Sequence, residues 1–153
     1  MRIFSAFSLF SFILLIHSCK QDSNSGEFVI KGNFTNPEKN IVILEELGVK
    51  ELTPIDSAVI DEEGDFIIKY KPDDIGLYIL RVGERNFITL LIDRGEHIKI
   101  TADASKMAYT YSVEGSEGSQ LLKDYYEHTA MNKLKVDSLA RLFRISKEKP
   151  DFL

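Results

Sequence analysis

The chain has 153 residues, 44% of them apolar and 28% charged, with a formal net charge of -5 and a single cysteine. This is one ordinary domain's worth of sequence, apolar enough to bury a core, which argues against global disorder. The negative balance argues against nucleic-acid binding, which calls for a basic face, and one cysteine leaves no partner for an internal disulfide.

In chain order, Arg2 is followed by an apolar run over residues 3–16, and Leu15-Ile16-His17-Ser18-Cys19 closes it. The run falls short of the ~20 residues of a comfortable membrane span and reads as a signal segment. Aliphatic residues ahead of a small Ser18 match a lipobox, where a peptidase cuts before the cysteine and acyl chains are attached to it; His17 departs from the pattern. A plain secretory signal is the competing reading. The expectation is therefore a signal peptide over 1–18, lipid attachment at Cys19, and a polar flexible tether over 19–26. Residues 20–26 reach roughly 24 Å when extended, enough to clear lipid headgroups.

From Glu27 the pattern is strand after strand. Phe28, Ile30, Gly32 and Phe34 alternate until Asn36-Pro37 breaks the run, and 41–44 is a short apolar stretch expected to be buried on both faces. Strand-like residues 57–60 precede Asp61-Glu62-Glu63-Gly64-Asp65, read as a hairpin turn, and Phe66, Ile68 and Tyr70 alternate after it. Residues 76–82, 87–92 and 98–101 follow, and Tyr109, Tyr111 and Val113 supply the last candidate strand. Short strands at this spacing predict a mainly β fold, an antiparallel β-sandwich-like domain over 27–115.

After Gly115 the period changes. Ser116 or Ser119 is placed to cap a helix, and Leu121, Leu122, Tyr125, Tyr126 and Thr129 recur at helical steps. Leu134, Leu139, Leu142 and Phe143 extend the stripe, with cations in the last turns. The expectation is a C-terminal α-helical appendage or linker over 116–149. Its first half would pack on the sheet and its second half would seek another partner, with 130–133 the place where a break would fall if the helix is not continuous. Charge divides the same way. Residues 27–117 hold 10 basic and 18 acidic side chains, whereas 118–153 hold 7 basic and 5 acidic.

No residue set points to catalysis. There is no Gly-x-Ser-x-Gly elbow, and Gly115-Ser116-Glu117-Gly118-Ser119 lacks the Lys-Ser/Thr ending of a phosphate-binding loop. The acidic run 61–65 lacks the ligand spacing of a calcium loop, and His97 and His128 have no second ligand at useful spacing, so neither a metal nor a cofactor is expected. Tyr70, Tyr78, Tyr109 and Tyr111 suit core packing better than a ligand groove, and the ligand-binding residues stay unassigned.

The succession Phe28-x-Ile30-x-Gly32-x-Phe34, Ile55-Asp56-Ser57-Ala58-x-Ile60-Asp61-x-x-Gly64-x-Phe66, Ile92-Asp93-x-Gly95-Glu96-x-Ile98-x-Ile100-x-Ala102-Asp103 and Val113-x-Gly115-Ser116 carries a resemblance. It resembles the uncharacterised β-rich domain at the N terminus of Bacteroidota thioredoxin-like lipoproteins, relatives of periplasmic thiol-disulfide oxidoreductases. In that family a helical linker and a thioredoxin-fold domain with a Cys-x-x-Cys pair follow. With no cysteine beyond Cys19, the resemblance implies envelope location and an accessory role, not redox catalysis. The expectation is a non-catalytic lipoprotein held to the bilayer through acylated Cys19, docking to a thioredoxin-like domain or another envelope protein. The alternative is a stand-alone envelope lipoprotein that binds a glycan or a peptide.

Overall fold

The computed structural model describes residues 26–147; the expected signal peptide, Cys19 and the tether up to Ser25 lie outside them, as do residues 148–153. Eight strands run in order: β1 (Phe28–Thr35), β2 (Ile41–Leu47), β3 (Leu52–Val59), β4 (Asp65–Tyr70), β5 (Gly76–Val82), β6 (Asn86–Ile92), β7 (His97–Asp103) and β8 (Ser112–Glu114). They form two four-stranded sheets, ordered β4-β1-β7-β8 and β3-β2-β5-β6. Alternation explains the layering, because side chains point to opposite faces at every step. Phe28, Ile30 and Phe34 of β1, Ile98 and Ile100 of β7, and Tyr78, Leu80 and Val82 of β5 all turn inward and are buried. The mainly β sandwich with a C-terminal helix is as the periodicity predicts.

Small residues make room where the two layers need it. Gly32 takes an inward slot opposite Phe66, and a Cβ there would stand 2.0 Å from the Phe66 ring. Phe66 then meets Phe34 edge-on, with ring centres 4.7 Å apart. At the other end Phe28 meets Tyr78 and Tyr70 at 5.2 and 5.8 Å, also edge-on. The acidic run does turn the chain tightly into β4, but not as the expected hairpin: β3 pairs with β2 and β4 with β1, so the turn carries the chain from one sheet to the other. Asp65 N–H donates to Asp61 Oδ1 at 2.7 Å, and Gly64, at φ +90°, offers its carbonyl to Phe34 N–H at 2.8 Å.

Four further expectations need correction. One pairing, β1 with β7, is parallel, bringing Val29 opposite His97, while all the others are antiparallel. The 41–44 run is not hidden on both faces: Val42 and Leu44 are buried, but Ile41 is 46% exposed because no described residue covers the outer side of its sheet there. β2 runs on past that stretch to Leu47, and a bulge at Ile55 of β3 shifts the pairing between Leu44 and Glu45. Tyr109 and Tyr111 are not on a strand; a 3-10 turn (Ala104–Lys106) and the short helix α1 (Met107–Thr110) intervene, and only 112–114 pair as β8. Met107, fully buried, plugs the gap between the sheets and explains that detour.

The last correction concerns α2 (Glu117–Lys147), one unbroken helix of 31 residues with no interruption at 130–133. Its entry is set by Gly115, at φ +81°, where a Cβ would stand 2.0 Å from the His97 carbonyl oxygen. The first turns pack on β6 and β8, but every residue over 124–145 is exposed, so the first half does not cover a sheet. At ~1.5 Å per residue most of its length stands clear of the sandwich.

Candidate functional site

Ser116 is the cap of α2, its Oγ accepting from Ser119 N–H at 3.3 Å. Ser119 does something else. Its Oγ accepts from Leu91 N–H at 3.1 Å and donates to Leu91 C=O at 3.0 Å. Ser116 Oγ also lies within donating distance of that carbonyl, at 3.1 Å. Leu91 belongs to β6, an edge strand, so two serine hydroxyls stand where a neighbouring strand would have supplied its backbone. This clasp pins the start of α2 to the sheet edge.

Beyond the clasp, α2 and α1 diverge and leave a cleft of about 630 Å³ against β6. Phe87 and Thr89 come from the strand, Tyr109 and Tyr111 from the α1 side, and Tyr126 and Met131 from α2. Tyr109 is 92% exposed, whereas Tyr111 packs partly against the core. Lys123 pairs with Glu127 one turn on and lies 5.5 Å over the Tyr111 ring. Burial, and then the carboxylates of Glu127 and Asp124, push the Tyr111 phenol up to about 12. The cleft wall is therefore apolar and aromatic, with the Lys123–Glu127 pair in it and the Asp124 carboxylate nearby.

The tyrosines grouped together in the sequence divide in the structure. Tyr78 is core, fully buried, its phenol pushed up to about 12 by burial, then by Glu46 and Tyr70, and its hydroxyl has no partner among the described residues. Tyr70 packs beside it, while Tyr109 and Tyr111 line the cleft with Tyr126. Alternation could not separate them, because two of them sit on the α1 detour. Sequence reading also missed Glu45, buried on β2, which takes Arg81 Nε and Nη2 at 2.8 and 2.9 Å in a two-point pair. That pair binds β2 to β5 rather than marking a reaction.

A second, smaller trough of about 240 Å³ lies on the outer face of the other sheet, where Lys31 stands opposite Lys99 beside Asn33 and His97. Lys31, Lys99 and His97 are exposed there, and the half-buried Asn33 already donates through Nδ2 to Asp65 Oδ1 at 2.7 Å. His97 faces outward as expected, and His128 sits on the exposed stretch of α2. Among the described residues no three His, Cys, Asp or Glu side chains gather as a metal site, and no helix is long and apolar enough to cross a membrane. The lipid-attachment residue Cys19 lies outside the described residues.

Comparison with known proteins adds a family. Residues 28–122 match the one described as "Domain of unknown function (DUF4369)". An AAA-ATPase of Arabidopsis thaliana is 29% identical over 142 residues, covering 87% of this chain; the chain spans only 28% of that relative's length. Among solved structures, an (S)-allantoin synthase matches 61% of this chain and 45% of its own, at 13% identity and a TM-score of 0.37. A candidate cell adhesion protein from Bacteroides ovatus matches 60% of this chain and 43% of its own, at 11% identity and a TM-score of 0.33. These two likenesses are distant and assign no activity.

Proposed function

Because the chain belongs to the DUF4369 family, whose function is unknown, we propose that it is a membrane-anchored docking module of the bacterial cell envelope, without catalysis of its own. One observation carries this reading: the far part of α2 stands in solvent with Leu134, Leu139, Leu142 and Phe143 all more than half exposed. At ~100° per residue these and Ile145 spread over about half of the helix surface, with Lys135 among them and Lys133, Arg141, Arg144 and Lys147 on the other half. An isolated helix in water is marginal, so such a segment draws its stability from what it packs against. Residues 131–147 hold five basic side chains and one acidic, which suits a protein partner with an apolar groove and an acidic rim, such as a thioredoxin-like domain. The lipobox ending in Cys19 supplies the anchor, since acylation with more than one chain holds a protein stably at a bilayer.

Two measurements test the reading. A photo-crosslinking residue at Leu142, introduced in cells, should give one discrete adduct with an envelope protein, lost on Leu139→Asp. Labelled palmitate should enter the wild-type chain but not Cys19→Ser, which should leave the membrane fraction. No adduct, or a Cys19→Ser chain that still sediments with membranes, overturns it.

A second reading has its own observation, the tyrosine-lined cleft beside β6. It makes the chain a lipoprotein that binds a glycan or a peptide there. Saturable binding that is lost on Tyr126→Ala, yet indifferent to Leu139→Asp, would favour it over docking through α2.

A further inference from the structure

We infer that the cleft takes an extended peptide as an added strand on the β6 edge, one with apolar side chains at alternate positions and basic flanks. The inference rests on the second reading above and decides between its two ligand classes.

The backbone is the reason. In an antiparallel ladder, alternate residues exchange their N–H and C=O groups with the neighbour, and those between point the other way. Leu91 gives both its groups to Ser119, so Leu91 is one of the outward residues of β6. The β5–β6 register runs unbroken from Gly76↔Ile92 to Val82↔Asn86, so Thr89 and Phe87 share that outward phase. No protein group among the described residues pairs with their outward N–H and C=O. Ile88, only 3% exposed, also borders the cleft, which places the cleft directly against the strand's backbone.

The edge thus presents donor and acceptor pairs at the two-residue spacing of a strand, in a cleft of about 630 Å³. A peptide backbone matches that spacing, and strand addition is a recurring mode of peptide capture, with main-chain bonds giving affinity and side-chain pockets giving selectivity. A sugar's hydroxyls carry no such fixed repeat. Tyr109, Tyr126 and Met131 offer apolar contact for the side chains on one face. Lys123 already pairs with Glu127 in the cleft wall, but Asp124 stands nearby and residues 27–117 carry 18 acids against 10 bases, so cationic flanks are favoured.

The test uses the full chain and a displayed library of random dodecapeptides. Selected binders should show alternating apolar residues and Lys or Arg flanks, and should protect the Phe87 and Thr89 amides from hydrogen exchange. Methylating alternate backbone nitrogens of the best binder should weaken it at least tenfold in one phase and little in the other. Thr89→Pro, which removes an outward N–H without removing a ladder bond, should also weaken it at least tenfold. Equal binding by both methylated forms overturns strand addition even if Thr89→Pro fails to fold. A library without binders, alongside saturable capture of an oligosaccharide array member, overturns this inference and leaves the second reading standing. Capture of neither removes both. Protection of Phe87 and Thr89 that grows with protein concentration alone would show a second copy on the edge, and would overturn the peptide assignment.

Discussion

The sandwich and the helix that leaves it spend their apolar residues in opposite ways. In β1, β5, β6 and β7 alternate side chains are hidden from water, and Phe28, Ile30, Leu80 and Leu90 are fully buried. Along 124–145 of α2 no residue is hidden, although Leu, Val, Ile and Phe recur from 134 onward. The sandwich closes on itself, since two sheets facing each other remove both inner surfaces from solvent at once. The helix has only the serine clasp at Leu91 and its first turns to hold it. Similar composition therefore gives a self-sufficient unit in one region and a surface awaiting a partner in the other.

That contrast can be broken in several places. The largest effect should follow Phe28→Ala, which empties a fully buried site touching Tyr70 and Tyr78. A loss of about 3–5 kcal/mol in urea unfolding is expected. A loss under 1 would mean that the sandwich core is not where stability resides. Ser119→Ala should cost less, about 1–3 kcal/mol, because Leu91 loses its edge partner. Its signature is local: amides across α2 should exchange faster while those of β1 and β7 stay protected.

Tyr78→Phe should change neutral stability by no more than about 1 kcal/mol, in the stabilising direction, since the lost hydroxyl had no partner. Its effect on alkaline behaviour is sharper. The folded phenol is raised from 10.0 to about 12, so its contribution is complete below pH 10 and lost as the pH rises through about 12. Tyr111 shares the direction and the window, so Tyr78→Phe should flatten the alkaline loss without abolishing it. Leu142→Ala should be the mildest, within about 0.5 kcal/mol of the parent in isolation. If it costs as much as Phe28→Ala, α2 is packed in solution and the contrast fails.

Much of the sandwich was legible from period alone. Phe28, Ile30 and Phe34 and the Phe66, Ile68, Tyr70 series keep a strict two-residue beat, and each is a strand. β3 was only half visible because its residues lie on an outer edge, are mostly exposed, and include Pro54 and Asp56. Backbone pairing to β2, not burial, holds it, and pairing leaves no mark in hydropathy. The same limit hid the parallel β1–β7 pair, which joins segments far apart in the chain. The helix was legible as a helix, yet its apolar residues promised a covering contact that its straight course never makes. The cleft was not legible at all, because it depends on where α1 and α2 part and on which β6 amides face outward. Of its residues, Tyr109 and Tyr111 stand out in the sequence as strand aromatics better suited to a core than to a groove, and Tyr126 as part of a helical stripe.

The neighbours of His97 have one more consequence. Val29 of β1 stands opposite it on one side, and Gly115, at the start of α2, presses on its carbonyl. The points where the chain enters and leaves the sandwich are thus about two strand spacings apart, roughly 10 Å. A domain whose entrance and exit adjoin behaves as a cassette. It can be spliced into a longer polypeptide, or cut from one, while barely shifting what lies before β1 relative to the start of α2.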